Sequence, residues 1–240
     1  KDEEAAGTGG TSGVIYTVSS RATYDALNRV NTFAHVNHDK DLPSFGTLLC
    51  INGTGILYNW LRGHFFPELS YPELESLAAQ VRAEGIVFLP FGNGAERMLG
   101  NRIVGSCVQG IDFNRHDKRH VLRAALEGIA FAFVYGIEIM EELGIKPKIL
   151  RVGNDNLFQS AIFSQTLADV ANVEISVFET TGAVGAAKGA AFGAGLMHDI
   201  SALHADLQVI KKYLPETNKY ARDSYLHWKN FLKQQLDKPS

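Results

Sequence analysis

The sequence has few cysteines and no excess of charge of either sign. Only two cysteines occur among 240 residues, Cys50 and Cys107, too few for a disulfide framework and typical of a reducing compartment. We therefore expect a cytoplasmic protein. Asp and Glu number 26 against 23 Lys and Arg. Because proteins that contact a phosphate backbone are usually basic, nucleic acid is not an expected partner.

Long hydrophobic runs are also missing. A membrane-spanning helix needs about 20 consecutive apolar residues. The nearest candidate, residues 128–137, is bounded by Glu127 and Glu138 and is about half that length, so no membrane partner is expected. The chain begins with KDEE rather than Met, and we expect it to be cut from something longer. With 45% hydrophobic and 20% charged residues it is typical of a globular protein with a proper core.

The hydrophobic pattern predicts an α/β protein. Strands and helices alternate in the second half of the chain, as they do where helices connect the strands of a sheet. Strands are predicted at 13–18, 48–51, 86–89, 149–152 and 174–178, with a strand and a loop within 28–44. Helices are predicted at 56–65, from 71, and at 120–143, 159–170 and 182–196, and a helical tail from 205.

A glycine cluster at residues 7–13 comes directly before the first predicted strand. Closely spaced glycines expose backbone N–H groups, and the hydroxyls of Thr11 and Ser12 add donors, so the cluster could bind an anion. The alternative is a hairpin turn that needs glycine at positive φ. The spacing matches neither a Rossmann fingerprint nor a Walker A loop.

Two further loops lie between a strand and a helix. Residues 52–55 could bring a helix N-terminus to a phosphate, or Asn52 or Thr54 could simply cap that helix. Residues 153–156 follow a strand at a place where α/β sheets bind ligands, and the asparagines could pair with a purine edge. The alternative there is an ordinary left-handed turn.

Catalytic side chains are not apparent from local patterns. No segment suggests a Ser-His-Asp triad or a pair of carboxylates. Five histidines, which match no metal-binding spacing, are expected to be solvated loop residues: His35, His38, His64, His116 and His120. The sequence therefore predicts no metal site formed by side chains.

Five motifs occur in an order that identifies a family. They are GTSGV at 10–14, NWLR at 59–62, LPFGNGAER at 89–97, RAALEGIAF at 123–131 and GAVGAAKGA at 182–190. In this order they resemble the C-terminal half of FGGY-family carbohydrate kinases, the xylulose kinases in particular. The resemblance covers residues 10–196, nearly the whole chain.

The resemblance implies an actin-like (ribonuclease-H-like) ATPase fold, a mixed sheet flanked by helices, forming the C-terminal, ATP-binding lobe of a two-lobed sugar kinase. Residues 1–200 would form this lobe, and residues 201–240 a helical tail packed on it. By position, the residues expected to contact the nucleotide are Gly10, Thr11 and Ser12 at the phosphates, Gly55 and Asn59 beside the phosphates and ribose, and Gly153, Asn154 and Asn156 at the adenine. Asn154 and Asp155 depart from the family's commoner run of three glycines.

The resemblance also implies which groups lie elsewhere. The catalytic Asp, the general base, is expected upstream of Lys1, and the sugar site on an N-terminal lobe. ATP with Mg²⁺ bound through its phosphates is the expected cofactor, D-xylulose the expected acceptor, and a homodimer is possible. Two alternatives are a stand-alone nucleotide-binding regulatory domain and a structural domain that has lost nucleotide binding.

Overall fold

The computed structural model describes residues 3–197 and 207–238. The described strands are β1 (Glu4–Gly9), β2 (Gly13–Ser19), β3 (Asn31–Ala34), β4 (Phe45–Ile51), β5 (Val87–Phe91), β6 (Gly105–Gln109), β7 (Ile149–Gly153), β8 (Glu174–Phe178) and β9 (Val209–Tyr213). The described helices are α1 (Gly55–Phe65), α2 (Tyr71–Ala79), α3 (Lys118–Glu142), α4 (Ala161–Ala171), α5 (Gly182–Gly193) and α6 (Lys219–Leu236).

Seven of these strands form one mixed sheet, in the order β3-β4-β2-β1-β7-β8-β9. β1 is parallel to β7, and β7 is parallel to β8, whereas the remaining neighbours are antiparallel. The first strand of the chain is thus the central strand of the sheet. The prediction of an α/β domain with crossover helices is confirmed.

The glycine cluster contains a strand that the sequence pattern did not predict. Residues 7–9 belong to β1, which pairs with β2 through residues 10–12 as a hairpin, with Gly9 opposite Gly13. No residue of this hairpin has positive φ. The prediction of a hairpin turn is therefore confirmed, but its glycines do not adopt the positive φ that the prediction gave as their reason.

Helix α3 is the core of the domain and packs against α4, β5 and α2. At Gly128 a Cβ would lie 2.1 Å from the carbonyl oxygen of Phe88, so only glycine permits this helix to approach β5 so closely. Within the described residues, α3 is the one helix long and apolar enough to cross a membrane, and 83% of its apolar window is buried. Burial of that extent is typical of a core helix.

The C-terminal segment is not helical throughout. β9 extends the sheet by pairing with β8 before α6 begins, so the prediction of a helical tail from residue 205 is wrong for residues 209–213. α6 then packs beside the two-stranded β5-β6 sheet. There the fully buried indole of Trp228 donates a hydrogen bond to the carbonyl oxygen of Phe88, with Nε1 and O 2.9 Å apart.

Candidate functional site

A cleft of about 720 Å³ opens where four segments meet: the β1–β2 turn, the start of α1, the start of α2 and the turn before α4. We call residues 9–11, Gly55 and Leu157 the hairpin end, since Leu157 packs directly on Gly9. We call Tyr58, Tyr71, Pro72, Glu75, Gln159 and Ser160 the α2 end, where the two tyrosine rings are in contact and Glu75 is hydrogen-bonded to Ser160. The cleft brings together segments that lie about 150 residues apart.

Backbone hydrogen bonds join the hairpin to α1. The N–H groups of Gly55 and Ile56 donate to the carbonyl oxygens of Gly10 and Thr11, with N–O distances of 3.1 and 3.2 Å. The hydroxyl of Thr54 donates to both carbonyls at 3.3 Å. These first N–H groups of α1 are therefore occupied and do not face an anion. The capping interpretation is wrong, because Thr54 forms no side-chain cap and the Asn52 amide donates to the carbonyl oxygen of Ala95 instead. The approach of a ligand to Gly55, which lines the cleft, stays a prediction.

The same geometry directs the N–H groups of the turn away from α1. In a trans peptide the C=O and N–H groups point in opposite directions, and the described chain has no cis peptide. Because the carbonyls of Gly10 and Thr11 point to α1, the N–H groups of Thr11 and Ser12 point away from it. Two successive N–H groups with adjacent hydroxyls provide the donors that an anion site needs.

Gly55 is required by this contact. A Cβ at Gly55 would lie 2.2 Å from the carbonyl oxygen of Gly10, far inside van der Waals contact. Its φ is not positive, so the reason for glycine is close approach rather than conformational freedom.

A buried carboxylate holds the loop between β4 and α1. Glu96 is fully buried, and its two oxygens accept hydrogen bonds from the N–H groups of Asn52 (3.1 Å) and Gly53 (2.9 Å). Burial raises the pKa of Glu96, although the two hydrogen bonds act in the opposite direction. Glu96 thereby fixes the loop that leads into α1, a role that local sequence patterns did not indicate.

At the α2 end the cleft is lined by flat apolar surfaces and a few polar groups. The rings of Tyr58 and Tyr71 lie 5.0 Å apart, and the Tyr71 hydroxyl donates to Asn59 at 3.1 Å. Tyr58 is buried, which raises the pKa of its hydroxyl, and this hydroxyl has no hydrogen-bond partner within the described chain. Asn156 adopts a left-handed conformation with φ of 50°, as the turn interpretation of residues 153–156 expects.

Five of the eight residues predicted to contact nucleotide line this cleft: Gly10, Thr11, Gly55, Asn59 and Asn156. Ser12, Gly153 and Asn154 do not line it. The N–H of Asn154 instead donates to the carbonyl oxygens of Phe178 and Thr180, at 3.0 and 3.1 Å, tying the turn to the end of β8. The predicted contacts themselves stay a prediction.

Nine cleft residues were not among the predicted nucleotide contacts: Gly9, Ile56, Tyr58, Tyr71, Pro72, Glu75, Leu157, Gln159 and Ser160. The helix over Tyr71 and Glu75 was predicted, but nothing in its sequence indicates that it closes one end of a cleft. The sequence did offer an indication for Tyr58, because it is next to the predicted contact Asn59 in a predicted helix that follows a glycine loop.

The described residues contain no group of three or more His, Cys, Asp or Glu that could hold a metal ion. In the same part of the chain Glu75 is the only carboxylate lining the cleft, and it lies at the α2 end. Among the described residues the hairpin end thus presents no side-chain carboxylate to the cleft. Three histidines differ from the expectation of solvated loop residues. His120 is buried in the first turn of α3, His64 lies in α1, and the Nε2 atom of His116 is buried without a partner among the described residues.

The mixed sheet, its flanking helices and a cleft at the tip of a central hairpin define a lobe of the actin-like ATPase fold. Residues 5–194 match the family model described as "FGGY family of carbohydrate kinases, C-terminal domain". The chain belongs to the FGGY family of carbohydrate kinases, and the predicted family and fold are confirmed.

Individual relatives agree with this assignment. The chain is 27% identical to the xylulose kinase of Bacillus subtilis over 237 residues, which cover 92% of this chain and 46% of the relative. A xylulose kinase from Lactobacillus acidophilus has the same fold, with a TM-score of 0.83, 20% identity, and coverage of 99% of this chain and 48% of that one. The structure of Plasmodium falciparum glycerol kinase with ADP gives a TM-score of 0.81 at 20% identity, and the match covers 98% of this chain and 47% of that one. The chain spans about half the length of the relatives it matches.

Proposed function

We propose that this chain is the ATP-binding lobe of a sugar kinase that transfers the γ-phosphoryl group of ATP to a hydroxyl of a ketose. The proposed ketose is D-xylulose. The observation that carries the proposal is the hairpin end of the cleft, which Gly10 and Thr11 line, and where the N–H of Thr11 points away from α1 beside the unbonded Thr11 hydroxyl. Such donors suit the β- and γ-phosphates. The α2 end, lined by Tyr58, Tyr71 and Pro72, suits a nucleoside.

In the proposed reaction the acceptor hydroxyl oxygen attacks the γ-phosphorus, and the bond from that phosphorus to the bridging oxygen of ADP breaks. The hydroxyl proton passes to a general base. Catalysis of this kind depends on positioning and on stabilising charge at the phosphoryl group. This chain would contribute the donor side through Gly10 and Thr11. The base, an Asp, and the sugar site would belong to an N-terminal lobe outside residues 1–240.

ATP and Mg²⁺ are the cofactors of this proposal, with the ion carried by the phosphates because the hairpin end has no carboxylates within the described residues. D-Xylulose is proposed because xylulose kinases stand among the relatives in both sequence and fold. A cytoplasmic location belongs to the same proposal, since ATP is available there.

Calorimetry and a coupled kinase assay test the proposal. We expect the chain to bind ADP and to bind AMP more weakly, because AMP lacks the phosphate that the hairpin end would hold. The full-length protein that contains this chain should phosphorylate D-xylulose in preference to D-ribulose, glycerol and gluconate. Absence of ADP binding would exclude the nucleotide role, and preference for another sugar would exclude only D-xylulose.

A further inference from the structure

Glu75 is the only carboxylate lining the cleft in the described part of the chain, and its position is fixed. One oxygen accepts a hydrogen bond from the Ser160 hydroxyl at 2.7 Å, and the other accepts from the N–H of Ile162 at 2.8 Å. Ser160 itself is buried and caps α4 by accepting from the N–H of Phe163. Each carboxylate oxygen keeps a further acceptor site, because a carboxylate has about four lone-pair positions.

A carboxylate is an unfavourable group in a cleft for a polyanion unless the ligand brings it a donor. An ionised carboxylate can only accept hydrogen bonds, and it repels phosphates. Glu75 lies on α2 and is hydrogen-bonded to Ser160 and Ile162, whereas the phosphates are proposed to bind on the hairpin at Gly10 and Thr11. A nucleoside offers two kinds of donor for this place: an amino group on the base, or the hydroxyls of the ribose.

The surroundings of Glu75 favour the base. Tyr58, Tyr71 and Pro72 line the same end and present ring and aliphatic surfaces, which pack on a planar base better than on a hydroxylated sugar. A second observation is the Tyr58 hydroxyl, which is buried beside the cleft and has no hydrogen-bond partner in the described chain.

We propose that Glu75 determines the nucleobase specificity of the phosphoryl donor, accepting a hydrogen bond from the exocyclic amino group of a 6-aminopurine. The proposal rests on the nucleotide-binding function proposed above and goes beyond it by naming the residue that distinguishes an amino group from a carbonyl. A 6-oxopurine places an acceptor against an acceptor-only carboxylate, so it is rejected.

The experiment measures the binding of ADP, IDP and 2′-deoxy-ADP by calorimetry to the unchanged chain and to Glu75→Gln. We expect the unchanged chain to bind ADP at least about tenfold more tightly than IDP, as a hydrogen bond to a charged group provides. Glu75→Gln should lose most of this preference, because its amide can donate to the oxygen of hypoxanthine while still accepting from Ile162. The factor lost on removing the 2′-hydroxyl should be the same in both proteins.

Glu68→Gln is the matched control, since it removes the same charge from the turn between α1 and α2 without lining the cleft. Its ADP-to-IDP ratio should equal that of the unchanged chain. The ratio in the unchanged chain is informative even if Glu75→Gln does not fold.

Three results would overturn the inference while leaving nucleotide binding intact. These are equal affinity of the unchanged chain for ADP and IDP, an equal loss of both ligands in Glu75→Gln, and loss of the 2′-deoxy effect in that variant, which would assign Glu75 to the ribose. Tighter binding of GDP than of ADP would likewise exclude a 6-aminopurine. If no nucleotide binds the unchanged chain, the proposed function itself is wrong, and this inference with it.

Discussion

Thr11 contributes to the cleft in two separable ways. Its carbonyl oxygen accepts from Ile56 and holds α1, whereas its exposed side chain forms no hydrogen bond with the described residues. A substitution that changes only the side chain can therefore test ligand contact without disturbing the hairpin. This separation makes Thr11 a clean single-residue test of the phosphate site.

We predict that Thr11→Val lowers the affinity for ADP by about tenfold to a hundredfold, since a hydrogen bond to a charged group contributes about 1.5–3 kcal/mol. The affinity for AMP should change little, and the melting temperature should stay within about a degree because valine keeps the β-branched shape. Calorimetry and thermal melting measure both. Thr8→Val, in β1 and outside the cleft, is the control. If Thr11→Val bound ADP as tightly as the unchanged chain, the hairpin would have no phosphate-binding role and would serve only as a turn.

Gly55 and Gly63 offer a matched pair on one helix. A Cβ at Gly55 would meet Gly10 at 2.2 Å, whereas a Cβ at Gly63 would meet nothing within 4 Å. We predict that Gly55→Ala costs about 1–3 kcal/mol, as overpacking does, and weakens ADP binding by moving α1 from the hairpin. Gly63→Ala should stabilise the protein by up to about 1 kcal/mol. Urea unfolding of both variants measures the difference, and equal effects would contradict the close contact.

At the scale of elements, α3 begins with a charged cap. The Asp117 carboxylate accepts from the N–H of Arg119 at 2.9 Å, and the Arg119 guanidinium pairs with it at 2.7 Å. The hydrogen bond from the Arg119 side chain is the main reason that the pKa of Asp117 lies below its usual value. Since a lowered folded-state pKa stabilises only the ionised form, this contribution is complete above about pH 4 and is lost as the pH falls further.

We therefore predict that Asp117→Ala lowers stability by about 1 kcal/mol at pH 7, the usual value for an N-cap. The difference between the two proteins should shrink as the pH falls below about 4, because the parental carboxylate becomes protonated. Thermal melts of both proteins from pH 7 to 3 measure it. If the stability difference between the two proteins grew at low pH, the pKa of Asp117 would be raised rather than lowered by folding.

Helix α6 is joined to the domain through Trp228. Its indole N–H donates to Phe88, and the ring packs against Phe91 and Tyr225. We predict that Trp228→Phe costs about 1–3 kcal/mol from the unpaired Phe88 carbonyl alone. Trp60→Phe, at an exposed position, should stay within about 0.5 kcal/mol. Urea unfolding measures the stability of both variants. Equal stability of Trp228→Phe and Trp60→Phe would contradict the packing of α6 described here.

Helices were more predictable than strands in this chain. Apolar spacing located α1 and α3, whose residues pack on one core. β1 was missed because its sequence, EAAGTG, has little strand propensity and owes its conformation to pairing with β2 and β7. β9, VIKKY, mostly exposed, depends in the same way on β8.

The candidate site could be predicted in part for a related reason. Loops such as residues 10–12 carry local glycine and hydroxyl signals, and the family resemblance assigned them roles. The α2 end could not be predicted, because Glu75 and Ser160 meet only after residues 85 positions apart are brought together by packing. The hydrogen bonds that occupy the N-terminus of α1 also arise from such a long-range contact.

For the molecule as a whole, the proposed division of labour between two lobes has a measurable consequence. We predict that residues 1–240 bind ADP yet release none from ATP in a D-xylulose-dependent manner. A missing general base alone removes about 10²–10⁴ in rate, and unpositioned sugar removes more. A coupled assay for ADP measures this, and joining the upstream lobe should restore turnover. Sugar-dependent ADP release by the purified chain, with a contaminating kinase excluded, would contradict the proposal.

The bond between Trp228 and Phe88 spans 140 positions of sequence and also bears on biosynthesis. The ribosome synthesises β5 and α3 long before α6. The Phe88 carbonyl and the apolar surface that packs against the indole are therefore exposed to water until α6 emerges. β1 likewise remains without its neighbour β7 until residue 149 appears. Closing such distant contacts is slow. We therefore expect the apolar surface that α6 covers to stay exposed in the nascent chain until α6 has been translated.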